Sequence, residues 1–198
     1  MGDDMTEKPI LFSAPMVRAI IEGRKTQTRR LVKQKQNPHD FFCGINDSRD
    51  DPYNYGLEDP EVMGAFITLP EQRCPYGRIG DHLWVRESMW RNKETKESLG
   101  YVADDERKYQ NNKTIKKIPS IHMPRVCSRI TLEITDRRVE RLQDITQADA
   151  CAEGVLLTSW EACDSFNTTP ERQFCKLWKD INGPESWDKN PFVWLIEF

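Results

Sequence analysis

The end of the chain constrains the fold more than any other stretch. Residues 192–198 read F-V-W-L-I-E-F, so apolar side chains stand on both alternating sides of this segment. A strand with one exposed face would instead alternate apolar and polar residues. The sequence therefore predicts that the closing segment is a central strand of a sheet.

Short strands are predicted along much of the chain before this segment. The strand over 82–90 has an unusual face, because a carboxylate, Glu87, stands in a row of apolar side chains. A half-exposed strand is predicted over 125–135, where isoleucine and leucine alternate with polar residues. The strands predicted before the closing one are 8–13, one that includes Leu31 and Val32, 82–90, 101–103, 125–135 and 137–142.

Three helices are predicted between these strands. The first begins after Ser13, with proline in its first turn, and stops at Gly23. The second is short, is capped by Thr146 and stops at Gly154. The third follows Pro170, and its apolar stripe consists of Phe174, Leu177, Trp178 and Ile181. Strands and helices together favour an α+β protein: a small, mostly antiparallel β-barrel with a few peripheral helices.

A long polar stretch interrupts this pattern between about residues 34 and 80. It is rich in Asn, Asp, Gly and Pro, but it also contains Phe41, Phe42 and Tyr53, which disordered segments rarely carry. We expect an ordered insert with a small hairpin around 65–69, within a single domain over 1–198. Two roles remain open for it: a lid over a site, or an appendage that adds stability.

Charge and hydropathy exclude several classes of protein. The 29 basic and 32 acidic residues give a net charge of −3, so a nucleic acid would have to bind a local basic patch. The first residues lack the basic and apolar regions of a secretory signal, and no apolar run reaches transmembrane length. We expect a cytoplasmic protein with no membrane partner.

The six cysteines indicate neither a disulfide framework nor a metal site. They are scattered, without a C-x-x-C pair, in a chain with no sign of secretion. The set Cys74, His82, His122 and Cys127 does not match the spacing of a structural zinc site. Free thiols are expected, with no metal and no cofactor.

The segment from Glu22 to Arg30, E-G-R-K-T-Q-T-R-R, is the first candidate functional stretch. It is either a solvated basic patch or a loop that presents a lysine and a hydroxyl group to a substrate. On a regular strand, residues three apart point to opposite faces. Lys25 and Thr28 can therefore act together only if the backbone between them is irregular.

Several motifs, taken in order, resemble the ASCH domain family. They are Gly23-x-Lys25-Thr26-x-Thr28 with Arg29 or Arg30, Gly80-Asp81, residues 83–87, residues 121–125, Ile145-Thr146 through Glu153-Gly154, and Ile196-Glu197-Phe198. The full pattern looks most like the larger members found in phages and prophages. The resemblance implies a PUA-like β-barrel and activity either as an amidohydrolase that deacetylates acetylcytidine or as an RNA-directed protein.

The resemblance also implies roles for individual residues. By motif, Lys25 is the proton acceptor, Thr28 the nucleophile and Glu153 the proton donor of an amidohydrolase. Burial and nearby arginines would lower the pKa of such a lysine. The end of a helix and a neighbouring Asp149 would favour a carboxyl group that keeps its proton.

Further residues are candidates for substrate binding. Arg24, Arg29 and Arg30 could hold a phosphate or a carbonyl oxygen. A base could stack on Trp84, Trp90 or Tyr76. Glu87 is expected either to pair with a buried arginine or to take part in function.

Three functions fit these residues. The first is an amidohydrolase acting on a modified pyrimidine nucleoside such as N(4)-acetylcytidine. The second is an RNA-binding module whose arginines dock phosphates without chemistry. The third is a ribonuclease at the same cleft, with Glu87 and either His82 or His122 as acid and base. The expected partner is accordingly a small nucleoside or RNA.

Overall fold

The computed structural model describes residues 5–32, 74–155 and 169–198, together with two short strands between the first two ranges. This part of the chain combines strands with three α-helices, as the sequence predicts. In chain order the elements are β1 (Glu7–Leu11), α1 (Ala14–Ile21), β2 (Gln27–Leu31), β3 (Gly56–Glu58), β4 (Phe66–Thr68), β5 (His82–Arg86), β6 (Met89–Asn92), β7 (Ser98–Tyr101), β8 (Ile115–Ile118), β9 (Thr131–Glu133), β10 (Asp136–Arg141), α2 (Gln147–Ala152), α3 (Pro170–Asn182) and β11 (Phe192–Glu197).

The strands form small sheets. Three sheets have three strands each, in the orders β1-β5-β9, β10-β11-β2 and β7-β6-β8, and β3 pairs with β4. All these pairings are antiparallel except that of β1 with β5, which is parallel. Among the described strands, the sheets do not join into one closed barrel.

The closing strand β11 is central, which confirms the prediction from its sequence. It pairs with β10 on one side and with β2 on the other. Trp194 and Ile196 belong to a core that also contains Phe12, whereas Val193 belongs to a second core with Phe174 and residues of α2. The two faces of this sheet therefore look into two different compartments.

The first compartment, which we call the main core, lies between the sheets β1-β5-β9 and β10-β11-β2 and is flanked by α1. Its buried side chains are Ile10, Phe12, Val17, Cys74, Leu83, Val85, Ala103, Ile134, Trp194 and Ile196. The second, which we call the helical core, lies where α2 and α3 cover the other face of β11. It contains Leu142, Ile145, Ala150, Phe174, Trp178 and Val193.

The single strand predicted over 82–90 is wrong, because the chain leaves one sheet and enters another at Glu87. The Glu87 side chain is 1% exposed and accepts hydrogen bonds from Arg129 Nε at 2.8 Å and Nη2 at 3.1 Å. A buried carboxylate needs such a partner. The arginine partner foreseen for Glu87 is therefore present, and the pair marks the boundary between β5 and β6.

Other predicted boundaries also differ from the structure. The strand over 125–135 is shorter than predicted, because 125–127 form a 3-10 turn after Pro124 and only β9 is extended. The strand β8 was not predicted, since its two central residues are exposed lysines that hide its pattern. Ile181 is 57% exposed and does not belong to the apolar stripe of α3.

The predicted insert over 34–80 lies mostly outside the described residues. The choice between a lid and a stabilising appendage therefore also concerns residues outside the described part of the chain. The hairpin expected around 65–69 corresponds to β4, whose Ile67 pairs with Leu57 of β3 in antiparallel register. The Gly80-Asp81 motif is structural here. The Asp81 carboxylate accepts the backbone N–H groups of Thr6 at 2.9 Å and Arg78 at 2.8 Å, and so it closes the turn that leads into β5.

Candidate active site

Lys25 is a buried cation at the entrance to β2, with 2% of its surface exposed. Its Nζ donates to the carbonyl oxygen of Gln27 at 2.8 Å, to the carbonyl oxygen of Glu153 at 2.9 Å and to Glu153 Oε2 at 2.7 Å. Three donated bonds use all three protons of an ammonium group. The structure thus brings Lys25 and Glu153 together as a buried ion pair.

The backbone that carries Lys25 is irregular. After α1, Gly23 has a φ of 71°, and the N–H groups of Arg24 and Lys25 both donate to the carbonyl of Ala19. Lys25 then forms an isolated antiparallel bridge with Glu153, and the regular strand begins only at Gln27. Lys25 therefore lies outside the regular strand, and the alternation of side chains along β2 does not force it to point away from Thr28. Joint action of the two residues requires such an irregular backbone.

Glu153 owes its position to the short helix α2. Thr146 and Asp149 form a capping box in which each side chain accepts the other residue's backbone N–H. The helix ends one residue before Glu153, and Gly154 follows with a φ of 84°. These local signals, both visible in the sequence, fix the end of α2 against Lys25.

Replacement of Gly154 by alanine should separate the two halves of the ion pair. A Cβ at this position would lie 2.9 Å from Ala19 Cβ and 2.9 Å from Lys25 Cβ, and the positive φ disfavours any side chain. Backbone strain and overpacking together should lower the free energy of unfolding by roughly 2–4 kcal/mol, measured by denaturant titration. Gly80→Ala is the matched control, since Gly80 also has a positive φ but nothing within 4 Å of the added Cβ. Equal losses in both variants would contradict the packing argument.

Arg29 extends the charged cluster on the side of the helical core. It is 4% exposed, and Nε and Nη2 both donate to Glu140 Oε1, the first at 2.9 Å. Its guanidinium also lies 3.4 Å from carboxylate oxygens of Asp149 and Glu153. Because three carboxylates surround it, Arg29 is a neutralised part of the framework, and its guanidinium is not presented at the surface.

Thr28 and Arg30 point to the opposite side of β2 from Arg29. They pair in register with Ile196 and Trp194, which face the main core. Thr28 is 3% exposed, and within the described part of the chain its hydroxyl makes no hydrogen bond. The structure does not place Lys25 Nζ on this hydroxyl, but it directs both side chains towards the main core.

Phe12 marks the point where three groups of interest converge. Its ring centroid lies 5.5 Å from Lys25 Nζ and 5.2 Å from the Cζ atom of Arg30. The Tyr76 phenol is near enough to Arg30 that each affects the other's pKa. Lys25, Arg30 and Tyr76 thus line one corner of the main core, which we call the Phe12 corner.

Burial lowers the pKa of Lys25 below its ordinary value of 10.5. The carboxylate and hydrogen bond of Glu153 oppose this shift, while the charges of Arg30 and Arg29 add to it. A lysine whose cation is disfavoured in this way gives up its proton more easily than one in water.

The side chains of the remaining predicted binding residues have partners other than the side chains of Lys25 and Glu153. Arg24 is half-exposed and pairs with Glu22, with one further bond to the carbonyl oxygen of Gly154. Trp84 points away from the main core, on the outer face of β5, with the Cζ atoms of Arg86 and Arg125 at 5.4 and 5.8 Å from its ring. Glu87 is occupied by Arg129. None of these three side chains contacts Lys25 in the structure.

Of the three aromatic residues considered for stacking, Tyr76 is the one near β2, where it lies close to Arg30. Trp90 is 6% exposed, and its Nε1 donates to the backbone of Asp105. Sequence reasoning missed Glu140 altogether, because its approach to Arg29 depends on the pairing of β10, β11 and β2. It also missed Gln27, which donates to the carbonyl of Asp149 at 3.1 Å.

The described residues contain no group of three or more His, Cys, Asp or Glu placed to hold a metal ion. None of their helices is long and apolar enough to cross a bilayer. Cys74, Cys127, Cys151 and Cys175 are free thiols, and the other two cysteines lie outside the described residues.

Comparison of the chain with known protein families, curated proteins and solved structures gave no match.

Proposed function

We propose that this chain is a hydrolase of the amidohydrolase type that deacetylates a modified pyrimidine nucleoside such as N(4)-acetylcytidine. The proposal includes a PUA-like β-barrel of the ASCH family, in which Lys25 is the base, Thr28 the nucleophile and Glu153 the acid. The observation that carries it is the buried contact of 2.7 Å between Lys25 Nζ and Glu153 Oε2. Perturbed, buried and paired titratable groups are typical of active sites.

The contact of 2.7 Å between Lys25 Nζ and Glu153 Oε2 supports a proposed transfer of one proton within the pair. In a buried hydrogen-bonded pair, transfer of one proton from the ammonium to the carboxylate exchanges two charges for two neutral groups, which removes the cost of burying charge. The result is an amine on Lys25 and a carboxylic acid on Glu153. These are the protonation states that a base and an acid need at the start of the reaction.

The reaction then needs no further proton donor. The Lys25 amine takes the proton of the Thr28 hydroxyl as the oxygen attacks the acetyl carbonyl, and Glu153 protonates the departing amine of the base. Thr28 now carries the acetyl group. Water attacks this ester and gives a proton to Glu153, while the leaving threonine oxygen recovers its proton from Lys25. Acetic acid departs, and the pair returns to its starting state.

The test of this proposal is incubation of the purified protein with N(4)-acetylcytidine, followed by chromatographic detection of cytidine and acetate. Product formation by the wild-type protein that is absent in Thr28→Val supports the proposal. Absence of product from the folded wild-type protein, or equal rates in both proteins, contradicts it.

The rate should depend on pH in the direction set by Lys25. In the proposed starting state one proton is shared between Lys25 and Glu153, so its loss to solvent removes the acid and should lower kcat/KM. Because burial lowers the pKa of Lys25, this fall should be centred below 10.5, the ordinary value of a lysine. The profile is measured between about pH 6 and pH 10. A rate that does not decrease towards the upper end of this range would argue against a proton shared by the two groups.

One observation favours a second function, RNA binding. Two guanidinium groups lie near the half-buried Trp84 ring, with the Cζ atoms of Arg86 and Arg125 at 5.4 and 5.8 Å from its centroid. An aromatic ring with cations nearby suits a base and its phosphates. Binding of a single-stranded RNA that weakens with salt and with Trp84→Ala supports this function. Affinity that is indifferent to both changes rejects it.

A further inference from the structure

Two adjacent arginines of β2 differ sharply in their electrostatic surroundings. Arg29 faces the helical core and is surrounded by three carboxylates within 3.4 Å. Arg30 faces the main core, and no carboxylate among the described residues lies within ion-pairing distance of it. Its one hydrogen bond runs from Nη2 to the carbonyl oxygen of Leu11 at 2.6 Å.

The Arg30 guanidinium also has a hydrogen-bond donor that is not satisfied. Its Nε is buried and has no hydrogen-bond partner. A buried N–H group without an acceptor is costly, and a half-buried positive charge without a negative partner adds to this cost. The lowered pKa of Arg30, caused first by burial, reflects the same cost.

The charges nearest to Arg30 do not remove this excess. Lys25, which also lies near the Phe12 ring, is a second cation, and the Glu153 carboxylate is already bonded to Lys25 and Arg29. Tyr76 offers a neutral phenol, since burial raises its pKa above the ordinary value. The Phe12 corner therefore has one positive charge more than the described residues compensate.

We propose that Arg30, with Tyr76 beside it, binds a phosphate group of the ligand, so that the substrate is a cytidine nucleotide and not the neutral nucleoside. A guanidinium suits phosphate because its planar N–H fork donates two parallel hydrogen bonds. The inference rests on the proposed function only for the choice of a cytidine ligand. Phosphate is the anionic group that such a ligand carries.

The test compares ligands that differ in this group alone. Isothermal titration of the full chain is carried out with cytidine, cytidine 5′-monophosphate and inorganic phosphate, none of which needs to be hydrolysed. We expect the nucleotide to bind about 10- to 100-fold more tightly than cytidine, the range for one charge-assisted contact. Equal affinity for the two, no binding of the nucleotide, or phosphate binding as tight as that of the nucleotide would overturn the assignment.

Variants then assign the preference to Arg30. In Arg30→Met the ratio of the two affinities should fall to about one, and in Arg30→Lys it should fall several-fold because the charge remains without the fork. Arg107→Met, at an exposed arginine between β7 and β8, should keep the wild-type ratio. If Arg30→Lys kept the full wild-type preference for the nucleotide over cytidine, the paired N–H donors of the guanidinium would not be used, and the assignment would be wrong. This result remains decisive if Arg30→Met does not fold.

Failure of this inference can be told apart from failure of the hydrolase proposal. A nucleotide preference that depends on Arg30, together with no release of acetate from acetylcytidine, would reject the hydrolase and keep the phosphate site. Release of acetate from acetylcytidine, together with equal affinities for cytidine and its nucleotide, would reject the phosphate site and keep the hydrolase.

Discussion

Replacement of Thr28 by valine should remove hydrolysis of N(4)-acetylcytidine and leave the fold intact. The nucleophile is the only group of the proposed reaction that forms a bond with the substrate, so kcat/KM should fall by roughly 10³-fold or more, about 4 kcal/mol of barrier. The hydroxyl of Thr28 makes no hydrogen bond to a described residue. Its removal therefore leaves no partner unpaired, and the free energy of unfolding should change by less than about 1 kcal/mol.

The two readouts of this variant have to be taken together. Acetate release gives the activity, and denaturant titration gives the stability. Thr131→Val is the matched control, because Thr131 is an exposed strand residue of β9. A Thr28→Val protein that is folded and fully active would remove Thr28 from the mechanism, whereas an unfolded one would show that the hydroxyl has a structural partner.

Replacement of Lys25 by methionine should produce the largest loss of stability in the site. The methionine keeps most of the volume of the side chain but leaves the carboxylate of Glu153, 4% exposed, without its nearest cation. Removal of one partner from a buried ion pair costs about 3–5 kcal/mol. The remaining contact of Glu153 with Arg29, at 3.4 Å, is too long to replace the lost one.

The loss is measured by denaturant titration, with Lys176→Met on the exposed side of α3 as the control for removal of a lysine. The second substitution Glu153→Gln removes the unpaired charge, so the double variant should be more stable than the sum of the single losses predicts. Additive losses would show that the two side chains do not interact, and this result would contradict the ion pair.

Local sequence signals were sufficient for several parts of this structure. The apolar pattern of 192–198 predicts a central strand because only a buried strand can carry apolar groups on both faces. The cap at Thr146 and the stop at Gly154 predict α2 from residues that bond within one helical turn. These features need no knowledge of the rest of the fold.

Long-range features could not be predicted in the same way. The break at Glu87 depends on Arg129, which lies 42 residues further along the chain. The roles of Arg29 and Arg30 depend on which core each face of β2 contacts, and alternation alone shows only that they differ. In the same way, the charges that surround Glu153 come from Lys25 and Arg29, whereas the sequence pointed to Asp149 as its charged neighbour.

The central claim is that Thr28 carries the acetyl group during turnover, and intact-protein mass spectrometry of an acid-quenched reaction with N(4)-acetylcytidine tests it most directly. We predict a fraction of the protein that is heavier by one acetyl group, located by peptide mapping to the segment containing Thr28 and absent from Thr28→Val. Hydrolysis by a protein that stays unmodified, or an acetyl group found on another residue, would contradict the account.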